Sequence, residues 1–166
     1  DPADHWVEVD LTELVNGGSR RGIRTSGTVV AIANNSGIIE RCPECRRVMR
    51  DGECAEHGPQ RGEEDVRLRF VLDDGISNAS TLIGKEATEA LTGMDQGQIR
   101  DAIDANTRAG FIATLRERFL AGKLHINGRA MVDAQGAILM ADSVDVDTRT
   151  PEEAANEVMT RWGVVL

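Results

Sequence analysis

Between Asp65 and Asp73 apolar and polar positions alternate: Val66, Leu68, Phe70 and Leu72 fall on one face, Arg67, Arg69 and Val71 on the other. A period of two marks a half-buried strand. Asp73-Asp74-Gly75 then signals a turn into a further strand, Ser77 to Ile83. Upstream, Ile23 to Ala33 is rich in β-branched residues and predicts a strand. Asn34-Asn35-Ser36-Gly37 interrupts it and Ile38 to Arg41 resumes it, so the two pieces count as one broken first strand. Before that, Trp6 to Asp10 alternates like a short strand, and Asp10-Leu11-Thr12-Glu13 has capping-box form for a helical turn to Val15. Asn16-Gly17-Gly18-Ser19 reads as a turn or linker.

After Ile83 the pattern becomes helical. Glu86 to Leu91 predicts a short helix, and Asp95 with Gln98 caps a second that runs to about Ala105. Thr107 caps a third, in which Phe111, Leu115 and Phe119 recur at helical spacing before Gly122 ends it. Strands return at Leu124 to Val132 and Ile138 to Val146, joined by Asp133-Ala134-Gln135-Gly136. Thr150-Pro151-Glu152-Glu153 opens a last helix to about Trp162, with an apolar stripe of Ala155, Val158, Met159 and Trp162. The order is three strands, a helical segment, two strands and a terminal helix. That is a mainly β chain with helices, in the order of a five-stranded OB-fold barrel with an insertion after its first strand. The chain divides into an N-terminal extension (1–20), an OB-fold domain (21–147) carrying the insertion at 41–59, and a C-terminal helix (148–166).

The insertion carries the clearest chemistry. Cys42-Pro43-Glu44-Cys45 and Cys54-Ala55-Glu56-His57 are two short-spaced ligand pairs separated by eight residues. Each pair suits a tight knuckle, and a hairpin turned at Asp51-Gly52 brings the knuckles face to face around a tetrahedral Zn2+ ion. Gly58 relieves the backbone after the last ligand. Four protein ligands (Cys42, Cys45, Cys54, His57) leave no open position for water, so the site is structural. A thiol redox motif built on Cys42 and Cys45 alone leaves Cys54 and His57 unexplained.

Composition narrows the classes of partner. Hydrophobic residues make up 40% of the 166, enough for one sizeable core. No run approaches 18 apolar residues, so no transmembrane helix and no membrane partner are expected. The chain opens at Asp1 without a methionine, which fits a piece of a longer protein. Net charge is -9, yet residues 20–70 carry ten arginines against eight acidic residues. Any basic face therefore comes mostly from that part.

The segment from Gly37 to His57, a strand entering Cys-x2-Cys, eight residues and Cys-x2-His, resembles the zinc-containing OB domain of archaeal replication protein A. Phe70-Val71-Leu72-Asp73-Asp74-Gly75 and Ile83-Gly84-Lys85-Glu86 are similar too, and the resemblance runs from about Gly22 to Val146. It implies single-stranded DNA binding in replication, repair and recombination, inside the cell and associated with the nucleoid. It also implies that the last helix joins other subunits or domains. In an OB barrel, nucleic acid crosses strands 2 and 3, flanked by the loop between strands 1 and 2. The candidate DNA contacts are therefore Arg67 and Arg69 on the second strand, Arg46, Arg47 and Arg50 on the ribbon, and Arg24 at the groove's border. A second reading, an architectural module that contacts proteins, is favoured by the acidity and by an aromatic content of only 3%. An enzyme is not expected, because no nucleophile and base stand together as a motif.

Overall fold

The computed structural model describes residues 5–163. The chain runs β1 (Val7–Glu8), α1 (Leu11–Asn16), β2 (Arg20–Ile32), β3 (Gly37–Arg41), β4 (Glu53–Cys54), β5 (Gly58–Pro59), β6 (Glu63–Asp73), β7 (Asn78–Ile83), α2 (Lys85–Thr92), α3 (Gln96–Phe119), β8 (Lys123–Asp133), β9 (Gly136–Val146) and α4 (Pro151–Arg161).

Strand β2 pairs antiparallel with both β6 and β8, β6 with β7 and β8 with β9, while β7 runs parallel to β9. These pairings join five strands in a ring, β2-β6-β7-β9-β8, which is the OB arrangement. The broken first strand follows from hydrogen bonding along β6. Ile32 sits opposite Phe70, and after the interruption Gly37 sits opposite Arg67. Between them the Arg69 amide donates to the Ser36 hydroxyl at 2.9 Å, and its carbonyl accepts from the Ala33 amide at 2.8 Å. The buried Ser36 thus stands in for a missing strand partner, which a buried backbone amide requires.

The residues ahead of β2 belong to the same core. Val7 and Glu8 pair with Ile23 and Arg24, and Leu11 and Leu14 of α1 are fully buried. Asp10 caps α1 by accepting the Glu13 amide at 2.8 Å. Inside the ring lie Val66, Leu68, Phe70 and Leu72, all fully buried, and the Phe70 ring centroid is 5.9 Å from that of Phe119. Phe70 is therefore a core residue, and Phe111 and Phe119 are helix packing, as their spacing predicts. Full burial of such side chains is worth about 1.5–3 kcal/mol each.

The two helices expected on either side of Thr107 abut. Thr107 adopts φ 66° and ψ 163° within α3, and its hydroxyl accepts the Gly110 amide at 3.2 Å, capping the second half. Arg108 then donates to the carbonyls of Ser36 and Ile38, tying α3 to the strand break.

Helix α4 carries both bonds of its capping box at Thr150 and Glu153. It is tied to the ring through Arg149, which donates to Asp147 at 2.6 Å and pairs with Glu157. The Arg149 guanidinium holds the Asp147 carboxyl well below the usual carboxylate range, and His125 adds a contact at 3.2 Å. The apolar stripe of α4 is not covered by its own barrel: Trp162 is 76% exposed and Val158 50%.

One glycine is required by close approach. Gly128 sits at an irregularity between β8 and β9, and a Cβ there would lie 2.0 Å from the Met140 carbonyl oxygen. Gly128→Ala must push the two strands apart. It is expected to cost about 3 kcal/mol in chemical denaturation, at the upper end of overpacking effects. A loss below half that would show that the register between β8 and β9 is soft.

Candidate functional site

The insertion leaves the barrel edge at Arg41, where β3 ends. Cys42 donates its amide to the Arg47 carbonyl at 2.9 Å and accepts the Arg46 amide at 2.8 Å, forming the first knuckle, with Arg46 at φ 65°. Asp51 and Gly52, at φ 50° and 77°, make the hairpin turn. Reciprocal bonds between Arg50 and Glu53 close it. The second knuckle lies between Cys54 of β4 and Gly58 of β5, which pair directly, and Gly58 takes φ 68°.

This folding brings the three Sγ atoms and one His57 nitrogen within 4.8 Å of one another. Cys45 Sγ lies 3.6 Å from Cys54 Sγ, and His57 Nδ1 lies 3.5 Å from Cys42 Sγ and 3.6 Å from Cys54 Sγ. A tetrahedral ion with metal–sulfur bonds of about 2.3 Å has edges of about 3.8 Å. Three of the six edges of the cluster lie close to that length, and all six lie within 4.8 Å.

Its electrostatics point the same way. Backbone N–H groups of Glu56 and His57, with the His57 ring, pull the Cys54 thiol down to about 6. The Arg47 N–H pulls Cys45 down too, but burial and the neighbouring Cys54 and Cys42 sulfurs outweigh it and raise that thiol. His57 is raised by Cys54 first, then by Cys42 and Glu44. Thiolates this close oppose one another, and a bound cation relieves the repulsion. On its far side His57 Nε2 faces the Glu44 carboxylate at 3.8 Å, and Gln60 donates to both Glu44 and the His57 carbonyl. Such an outer partner leaves Nδ1 for the metal. Glu44 lies inside the Cys-x2-Cys motif, so its position was readable. Gln60, three residues beyond the last ligand, carried no signal.

Among the arginines the structure separates free from engaged. Arg46 pairs with Glu63, and Arg47 with Glu56 at 2.5 Å. Arg67 and Arg69 have no carboxylate partner among the described residues. Arg69 reaches Ser80 Oγ at 3.4 Å, while Arg67 Nε is buried without a hydrogen-bond partner. Burial, with Arg41 and Arg69 close by, pulls the Arg67 guanidinium below its ordinary value. Both line a groove of about 790 Å³ with Arg50 from the ribbon and Arg100 and Arg108 from α3; Glu40 and Asp51 are acidic residues of its lining, and Arg100 pairs with Glu64 outside it. Arg50 is one of the ribbon candidates, whereas Arg100 and Arg108 come from α3, and nothing in their spacing marked them as neighbours of Arg67. Arg24 is not brought there. It lines a separate cleft of about 470 Å³ beside α4, where it donates to Asn127 at 3.2 Å.

No model of a known protein family matches the chain, and no curated protein matches it in sequence. Its fold is shared with solved structures. A chain from a replication protein A heterotrimer bound to single-stranded DNA is similar at a TM-score of 0.64 and 14% identity, over 95% of this chain and 40% of that one. Yeast replication protein A bound to single-stranded DNA gives 0.59 and 11%, over 95% of this chain and 97% of that one. A chain of the S. pombe Stn1-ten1 complex gives 0.39 and 11%, over 87% and 71%, a score too low to carry a fold argument. The present chain thus spans two fifths of the first of these, 40% of its length, and the likeness is one of fold.

Proposed function

We propose that this chain is a single-stranded DNA-binding OB module with a structural zinc ribbon. It would act in DNA replication, repair and recombination as one part of an assembly like archaeal replication protein A. The groove carries the reading: five arginines converge on it in a protein of net charge -9, and Arg67 and Arg69 stand there without carboxylate partners. Two arginines on alternate residues of one strand are about 7 Å apart, close to the spacing of phosphates on an extended strand. Low-dielectric walls focus such a local field whatever the net charge. Zinc is the ion that best suits three thiolates and an imidazole in a closed tetrahedron, and it would hold the ribbon without entering a reaction.

The metal reading predicts one equivalent of zinc in the purified protein, with three sulfur ligands and one nitrogen by X-ray absorption. Cys54→Ser is expected to loosen residues 42–59 while the barrel stays folded, because metal binding and ribbon folding are coupled. A zinc-bound water in the absorption spectrum would overturn the closed site.

For DNA, affinity is expected to fall with salt by about 0.7 log units per phosphate contact per log unit of salt. Replacing Arg67 and Arg69 by Ala should weaken binding to all sequences alike and flatten that slope. Unchanged affinity and slope would move the site elsewhere on the protein. Failure of the zinc-loaded chain to bind any oligonucleotide at low salt would remove the reading.

The second reading, an architectural module, is favoured by α4, whose stripe is left largely open, with Val158 half-exposed and Trp162 76% exposed. Here the helix joins a neighbouring subunit or domain. Trp162→Ala is then expected to leave the stability of the isolated chain within about 0.5 kcal/mol, as for other exposed positions. A loss of several times that would mean that the helix folds back on its own barrel.

A further inference from the structure

Single-strand binders commonly stack bases on aromatic side chains. This chain has three phenylalanines, two tryptophans and no tyrosine. Phe70, Phe111 and Phe119 are all buried in the core, Trp6 precedes β1, and Trp162 ends α4. Among the described residues no Phe or Trp ring stands on the outer face of β6 to β9, and the His125 ring on β8 is engaged with Asp147, so whatever contacts bases beside Arg69 and Arg129 is something else.

The register shows what stands in that place. Arg69 of β6 is opposite Leu82 of β7, Leu82 is opposite Met140 of β9, and Met140 is opposite Arg129 of β8. Their neighbours along each strand, Phe70, Ile83, Leu139 and Ala130, are buried, so alternation turns this row outward. Contacts agree: Arg69 reaches Ser80 beside it, and the Arg129 guanidinium reaches the Met140 sulfur at 3.5 Å. One step along, Ile138 is opposite Met131, which is 52% exposed. The result is a strip of aliphatic and thioether side chains bounded at each end by a guanidinium. Three inter-strand steps of about 4.8 Å separate the two arginines.

We infer that this strip, centred on Leu82 and Met140, is a non-aromatic platform for the bases of a single strand. Arg69 and Arg129 hold the backbone at its two edges, and the inference rests on the DNA-binding reading above. Two features favour nucleic acid over protein here. The apolar part of the strip is small, Leu82 and Met140, both half-buried, with Met131 and Ile138 beside them, whereas a stable protein contact needs a larger apolar patch. It also continues through Arg69 into the arginine groove, so phosphates leaving one find the other. The platform contacts the flat faces of bases through CH groups. It gains area burial and little of the additional stacking attraction that a ring supplies. Binding should therefore be modest and tolerant of base identity.

The test uses the zinc-loaded full chain, one ordinary deoxyoligonucleotide, and one of equal length with abasic sites. Titrations at low salt are expected to show weaker binding of the abasic strand. Leu82→Phe is expected to tighten binding of the ordinary strand about tenfold, because an aromatic ring adds stacking. The abasic strand should hardly respond. Leu82→Ser should weaken the ordinary strand alone, with melting of each variant confirming an intact fold. Met140→Phe, at the other centre of the strip, repeats the gain if Leu82 proves intolerant of change. Equal binding of abasic and ordinary strands by the native chain would overturn the platform while leaving phosphate binding in the groove intact. No binding of either strand would overturn the DNA reading itself, and the platform with it. Loss of self-association in Leu82→Ser, with oligonucleotide affinity unchanged, would assign the strip to protein contact and overturn the proposal.

Discussion

Strand β2 is hydrogen-bonded on both sides, and the rest of the molecule follows from that. Its first half lies between β8 and the short β1, and from Thr28 onward it pairs with β6. A sheet that closes on itself has no free edge along its seam. It also has an inside, which makes the period of two meaningful on every strand of the ring. The buried row of β6 and the outward Arg67 and Arg69 are two consequences of one closure. A one-residue slip at the β2–β6 seam would exchange them. The shift in pairing between Val29 and Ala31 and the hydroxyl of Ser36 adjust that seam.

The same closure explains how an acidic protein comes to hold a basic groove. Most carboxylates near the ribbon are already committed: Asp65 to Arg41, Glu63 to Arg46, Glu56 to Arg47 and Glu64 to Arg100. Among the groove's arginines the β6 pair, whose outward direction the barrel dictates, has no carboxylate partner among the described residues, and neither do Arg50 and Arg108. Exposed ion pairs such as these contribute little to stability. Their effect is on the distribution of charge: they neutralise the ribbon's rim and leave Arg67 and Arg69, with Arg50 and Arg108, as the local sources of positive potential.

The strands and caps were legible in the sequence because their signals are local. The alternation from Val66 to Leu72 and the capping boxes at Asp95 and Thr150 correspond to observed features, as does Thr107 at a break inside a long helix. The cysteine and histidine spacing foretold a cluster for the same reason, since each knuckle is a short loop. What was not legible depends on long-range pairing. The burial of Leu11 and Leu14 requires the ring to exist first. The gathering of Arg50, Arg100 and Arg108 around β6 joins three segments whose separation no periodicity encodes. Arg129 faces outward in register with Met140 only because β8 and β9 shift at Gly128.

The ribbon shows why the cluster and the groove belong to one design. Its strands β4 and β5 are two residues each, far below what an isolated hairpin needs to persist in water. Its own apolar interior is Met49 with the cysteines. Short strands and a small interior give residues 42–59 little to hold one conformation, and the convergence of four ligand atoms adds a constraint at their centre. Yet Val48, Met49, Arg50 and Asp51 form a wall of the groove that Arg67 and Arg69 enter. Met49 is hydrogen-bonded back to Glu40 at 2.8 Å, so the wall is continuous with the barrel edge. The cluster of Cys42, Cys45, Cys54 and His57 thus sits where it bears on the shape of the surface on which the arginines are displayed.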